Sequence, residues 1–269
     1  MGWGDELIWL GEAKHQYLKD GKRRRPTREW VPQPLKEAYR HSPYVDMKGG
    51  YAMEERHLGL MPYQGNTTYV CKPAEITLKE EEIKLAEDEL AKGPYWIICP
   101  DNKPIQANGN NKIWAEGIPT WIKFITLIKD RWPTIRLLRL QPEYAKEKIP
   151  MVEVLPSSGF RYAASIARKS SLIITTEGFW HHLAAAWNVP ALVLYGGVTS
   201  PYPSIKRNHS GIGYEGQCNI VDTEEPETPC YSTKNNCPHC IRVWNKITPE
   251  TVMNRLEEYI NEKNIITSS

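Results

Sequence analysis

From residue 94 onward, short apolar runs alternate with amphipathic stretches, and that rhythm restricts the fold more than any other feature. "YWIICP", "IRLLRLQ", "SLIITTE" and "PALVLYGG" read as buried strands. Between and after them, "TWIKFITLIKDRW", "YAASIARKS", "HHLAAAWN" and "TPETVMNRLEEYINEK" read as helices, the last opened by Thr248 and Pro249. Strands separated by helices of this length imply βαβ units and a parallel sheet, so the expected class is α/β.

The region before residue 93 reads differently. "GWGDELIWLGEAKHQYL" carries Leu7, Leu10, Ala13 and Tyr17 at helical spacing, so a helix is expected to begin near Asp5. Residues 26–75 are rich in Pro, Gly and Tyr and offer only short strand-like pieces such as "TTYVC". "TLKEEEIKLAEDELAKG" reads as one acidic exposed helix closed by Gly93, a connector between halves. The expected division is residues 1–92 and residues 93–269. No run of about 18 apolar residues is present, so no membrane span is expected. The opening residues lack the basic and apolar regions of a secretory leader, which makes a cytoplasmic protein the expectation. A formal net charge of +2 does not by itself demand a nucleic-acid partner.

Ligands of open α/β sheets bind beyond the carboxyl ends of the strands. "SLIITTE" ends at Glu177, so "EGFWHH" occupies a strand-to-helix turn. Backbone N–H groups after Gly178 would face a phosphate there. Glu177 can accept hydrogen bonds from sugar hydroxyls, and His181 and His182 can donate to phosphate oxygens. The plainer alternative is an ordinary turn with a buried aromatic and a satisfied histidine.

"TTEGFWHHLAAAWNVPALVLYGG" resembles the donor-binding signature of glycosyltransferase family 9, the ADP-heptose:lipopolysaccharide heptosyltransferases and their relatives. Counting back from Pro190, His182 falls on the family histidine and Glu177 on its acidic residue, while Phe179 stands where the family has Gly. "NNKIWAEGIPTWIKFITLI" is similar to the family's Lys-x-Trp-Pro segment, which would bring Lys112 to the donor phosphates. Gly196, Gly197, Val198, Thr199, Ser200 and Pro201 are similar to its diphosphate loop, and "NCPHCIRVWNKITPETVMNRLEEYI" resembles its tail. These matches cover about residues 94–260. They imply a GT-B-like fold of two Rossmann-like halves, with the N-terminal, acceptor half shortened and irregular. They also imply a metal-independent inverting transferase that uses a nucleotide-diphosphate sugar.

"GWGDELIWLGEA" resembles the family's Gly-Asp-x-Leu turn, which makes Asp5 the candidate general base and Glu6 a weaker one. The alternative for Asp5 is a helix cap. Two acceptors are weighed: a bacterial saccharide, or a hydroxymethylated base in phage DNA. The basic run Lys22, Arg23, Arg24, Arg25 and Arg28, interleaved with Trp30, Tyr39 and Tyr44, suits the second through backbone contact and stacking. A solvated loop is the plainer reading of that run. A non-catalytic nucleotide-sugar-binding module is the alternative function.

Six cysteines do not make a disulfide scaffold in a chain of 269 residues. Cys71 and Cys99 read as core residues. Cys218, Cys230, Cys237 and Cys240 can hold a structural zinc ion, with His239 as an added ligand, or remain free thiols or an incidental disulfide.

Overall fold

The computed structural model describes residues 2–25, 33–50, 66–84, 86–101, 112–143, 145–206, 208–222, 229–232 and 236–265. Its centre is a six-stranded sheet in which every pairing is parallel. The strands are β1 (Tyr95–Cys99), β2 (Arg136–Gln141), β3 (Glu153–Pro156), β4 (Leu172–Thr176), β5 (Ala191–Tyr195) and β6 (Cys218–Val221). Their spatial order is β3-β2-β1-β4-β5-β6. The four apolar runs read from the sequence are β1, β2, β4 and β5, the strands buried along most of their length. The α/β expectation therefore holds.

Alternation along β1 divides the core in two. Tyr95, Ile97 and Cys99 join an apolar cluster on one face, and Trp96 and Ile98 join another on the opposite face. The first face is covered by α1 (Trp3–Asp20), α6 (Phe160–Lys169) and α7 (Phe179–Trp187). The second is covered by α5 (Ile118–Arg131), α8 (Pro238–Lys246) and α9 (Pro249–Lys263). Local chemistry sets several helix ends. Thr248 caps α9 by accepting the Thr251 N–H at 3.2 Å, and Pro249 occupies its first position. Asn188 takes a left-handed conformation that ends α7 ahead of Pro190.

Three sequence expectations change. "TTYVC" forms no strand, although Tyr69 and Cys71 are buried. The acidic stretch is two short helices, α3 (Glu80–Lys84) and α4 (Glu87–Leu90), and it is not wholly exposed. Glu82 and Glu89 turn inward because Arg161 and Arg136 meet them there. β3 and β6 were not anticipated.

Among the described residues no strand precedes Tyr95, and that region's β-structure is one bridge between Arg24 and Val45. Beyond α1 it contains the helical turn α2 (Gln33–Lys36) and a 3₁₀ turn at Glu37–Tyr39. Its apolar residues, from Leu7 to Ala86, belong to the same cluster as the first sheet face. Several buried polar groups in this region are paired. Lys72 reaches Glu12 at 2.6 Å, Tyr39 donates to Glu6, and Arg24 is held by Gln16 and Asp20 at 2.8 and 2.6 Å.

The Glu82–Arg161 pair ties α3 to α6, with contacts of 2.6 and 2.8 Å. Arg161 also donates to the Thr77 carbonyl. The guanidinium pulls the Glu82 carboxyl from 4.5 down to about 2. Its contribution is therefore full above pH 4.5 and lost as pH falls towards 2. Arg161→Met should cost about 3 kcal/mol at neutral pH, because it strands a buried carboxylate. In thermal unfolding the gap between variant and parent should narrow as pH is lowered through that window.

Candidate active site at the strand-order reversal

Strand order reverses between β1 and β4, where the connections leave in opposite directions and open a crevice at the carboxyl ends. Glu177 stands at the end of β4 beside that crevice and is buried. Lys112 belongs to the segment following β1, and its ammonium lies 2.6 Å from Glu177 Oε1. Two residues separated by 65 positions thus meet across the reversal. The Glu177 N–H is fixed to the Leu194 carbonyl at 2.9 Å, which locks its backbone to β5.

Gly178 follows at φ 149, a conformation open to glycine, and α7 starts immediately after it. The paired histidines take different parts. His181 accepts the Gly178 N–H at Nδ1 (2.9 Å) and donates from Nε2 to the Ile212 carbonyl (3.1 Å). Both nitrogens are engaged, so His181 has no N–H for a phosphate and acts as a brace. His182 meets the Tyr214 hydroxyl through Nδ1 at 2.8 Å. Nε2 has no hydrogen-bond partner among the described residues. Burial pushes His181 down to about 4 and His182 well below the ordinary histidine value, so both rings are neutral at pH 7.

α1 enters the site at its N-terminus. A Cβ on Gly4 would lie 3.0 Å from His182 Cδ2 and 3.4 Å from the Phe179 backbone, so the absent side chain permits this approach. Asp5 is one residue further on, half-buried, with Oδ2 accepting the Gly2 N–H at 2.8 Å. Phe179 packs against Trp3 and Phe160, with ring centroids 5.2 and 5.8 Å apart. The Phe179 ring is therefore taken up by an aromatic cluster roofed by α1.

The loop after β5 borders the site on its other side. A Cβ on Gly196 would fall 1.8 Å from the Trp244 ring, so only glycine lets the chain cross α8 there. The Cys230 and Tyr231 N–H groups donate to the Gly197 and Val198 carbonyls at 2.8 and 2.9 Å. From the opposite side the Ile212 N–H donates to the Ser200 carbonyl at 3.0 Å. Ser200 Oγ accepts the Tyr202 N–H, while Thr199 Oγ1 is buried without a hydrogen-bond partner among the described residues. Tyr195, Tyr214 and Tyr231 were not singled out from the sequence. Nothing local to Tyr214 reveals that its hydroxyl ends beside a histidine.

Beneath this loop, Cys230, Cys237, His239 and Cys240 bring their ligand atoms within 4.8 Å of one another. Cys218 is not in that group. It is buried in β6, so its place as fourth ligand passes to His239. Sγ of Cys230 lies 3.4 Å from that of Cys240 and accepts the Ser232 N–H at 3.4 Å. Those contacts pull the Cys230 thiol down and favour a thiolate. A tetrahedral Cys₃His site with metal–sulfur bonds near 2.3 Å needs ligand separations of about 3.8 Å, and these residues fit it.

The basic run divides. Arg23 and Arg25 are exposed, but Arg24 is buried and donates to Gln16, Asp20 and the Lys22 carbonyl. Tyr39 and Tyr44 are core residues, closed to stacking with a base. Arg28 and Trp30 lie outside the described residues. No helix among the described residues is long and apolar enough to cross a membrane.

No protein-family model matches the sequence, and no curated protein does. Solved structures do match. The iron-containing dodecameric glycosyltransferase TibC of enterotoxigenic E. coli H10407 superposes with a TM-score of 0.61 at 14% identity, covering 98% of this chain and 74% of that one. E. coli ADP-heptose lipopolysaccharide heptosyltransferase II gives 0.51 at 14% identity, over 72% of this chain and 56% of that one. The glycosyltransferase family 9 protein of Veillonella parvula gives 0.47 at 15%, over 71% and 54%. The chain spans about half the length of the latter two. Its fold is heptosyltransferase-like, as the family 9 resemblance implied.

The two buried neutral rings make a testable demand on pH. For His181, whose value falls from 6.5 to about 4, the native state resists protonation while the unfolded chain accepts it. Stability should be full above pH 6.5 and decline as pH falls towards 4. In an NMR titration the His181 ring proton should show no midpoint between pH 5.5 and 7.5, about the range of an exposed histidine.

Proposed function

We propose that this chain transfers a sugar from a nucleotide-diphosphate sugar to an acceptor hydroxyl, inverting the anomeric carbon and using no catalytic metal. The observation that carries the reading is the Lys112–Glu177 pair at the strand-order reversal, beside the N-terminus of α7 and the Gly196–Gly197 loop. Heptosyltransferase-like architecture agrees with it.

In this reading the diphosphate lies against the α7 N-terminus and the Gly196–Ser200 loop. Lys112, Thr199 and Ser200 meet the charge that grows as the anomeric carbon–oxygen bond breaks. Glu177 holds sugar hydroxyls or orients Lys112, and His182 offers Nε2. The acceptor oxygen attacks the anomeric carbon from the opposite side. Its proton passes to Asp5 and the bonding electrons leave on the diphosphate. A saccharide is the leading acceptor, because Arg24, Tyr39 and Tyr44 are committed to the interior. A hydroxymethylated DNA base is the second, with Arg23, Arg25, Arg28 and Trp30 as its contacts. A non-catalytic nucleotide-sugar-binding module is the alternative function.

Cys230, Cys237, His239 and Cys240 suit a structural zinc ion in this scheme. Because TibC is described as iron-containing, iron is the competing occupant. A bound ion would join the 230–231 strap to α8, with no part in the transfer.

Screening ADP-, UDP-, GDP- and CDP-sugars by thermal shift, then assaying transfer to lipopolysaccharide fragments and hydroxymethylated DNA by mass spectrometry, tests the function. Asp5→Asn should lower transfer by about 10²- to 10⁴-fold while sparing nucleotide binding. Undiminished function in that variant would favour the binding module. Lys112→Met should weaken nucleoside diphosphate binding by roughly ten- to a hundredfold. Elemental analysis should find about one metal ion per chain, and a loss in Cys237→Ser.

A further inference from the structure

Tyr231 combines three unusual features. Its backbone sits at φ 50, a left-handed conformation that strains a side chain such as tyrosine. Its ring stacks on His209, with centroids 4.1 Å apart and planes 22° from parallel. Its hydroxyl is sealed from solvent and has no hydrogen-bond partner among the described residues. A buried hydroxyl in that state is costly, so a strained backbone that delivers it there needs a reason.

The surroundings supply one. The Tyr231 N–H is fixed to Val198, inside the glycine loop, and the preceding N–H is fixed to Gly197. Tyr195 and Thr199, at the end of β5 and on the same loop, also bury hydroxyls without partners among the described residues. Partnerless donors at the loop that borders Lys112 and Glu177 match an oxygen-rich anion.

We propose that Tyr231 is a binding residue for the nucleoside diphosphate, its hydroxyl donating to a phosphate oxygen while the strap holds it in its left-handed conformation. This inference rests on the donor-site reading above. It adds a residue outside the family-like motifs, on the segment that joins the loop to the Cys₃His group.

Tyr231→Phe removes the hydroxyl and keeps the ring on His209. Calorimetric titration of ADP, UDP, GDP and CDP into the full chain should show the preferred nucleotide binding roughly ten- to a hundredfold more weakly, the effect of one hydrogen bond to a charged oxygen. The unliganded variant should melt at or above the parent temperature, because a partnerless buried hydroxyl has been deleted. Affinity within twofold of the parent would overturn the inference and leave the donor site standing. A variant that melts well below the parent would mark the hydroxyl as structural and overturn it too. If the parent binds none of the four nucleotides, the inference and the donor-site reading fail together.

Discussion

The reversal of strand order between β1 and β4 is the constraint from which the rest of the site follows. In a parallel sheet all carboxyl ends face one way, so the segments after β1 and β4 must emerge side by side and then part. That brings Lys112 and Glu177 to 2.6 Å across a gap which sequence separation would never indicate. It also sets the starting point of α7, whose first residues inherit the unpaired N–H groups of a helix terminus. The loop after β5 then flanks the same crevice because β5 pairs directly with β4.

Around this frame, buried polar groups do the fitting. Arg161 with Glu82, and Arg136 with Glu89 and Glu153, attach the acidic helices α3 and α4 to α6 and the sheet. Glu12 joins α1 to Lys72. Such pairs gain little over well-packed apolar residues, but losing one partner is expensive, which makes them specify arrangement more than total stability. The N-terminal segment needs this specification: among the described residues it has no sheet to align it, and α1, a few short helical turns and paired charges lie over one face. The contact at Gly4 is where that segment reaches the site, placing Asp5 beside the start of α7.

What could be read from the sequence follows burial. β1, β4 and β5 are buried throughout and largely apolar because both faces are covered, and their runs were unmistakable. β3, mostly exposed at the sheet edge, and β6, only four residues long, carry no such signature. The acidic stretch misled because charge normally marks a solvated face, whereas Arg161 and Arg136, distant in sequence, draw two of its carboxylates inward. The same limit applies in the site. Glu177, Gly178 and the glycine loop were legible from their position after strands. His181 looked like a phosphate donor until Ile212, 31 residues away, was seen to take its only N–H. The cysteine cluster was largely legible, since the sequence offered Cys230, Cys237 and Cys240 with His239 as an added ligand, but it could not show that Cys218 belongs to β6.

The electrostatics of the site now point in one direction. With both histidine rings neutral, neither adds a positive charge to the crevice at pH 7. Lys112 is partly neutralised by Glu177, so the unliganded crevice carries little net charge there. Under the proposed reading, an arriving diphosphate would compete with Glu177 for that ammonium, and the remaining attraction would come from dipoles. Those dipoles are the α7 N-terminus and the hydroxyls of Thr199 and Tyr231, on a loop and strap tied together by backbone bonds at Gly197, Val198 and Ser200. Fixed dipoles in a water-poor site reorganise little as charge moves, which is the property that stabilises a departing phosphate. A site built this way depends on the rigidity of its loop. Trp244 against Gly196, with paired N–H groups on either side, supplies that rigidity.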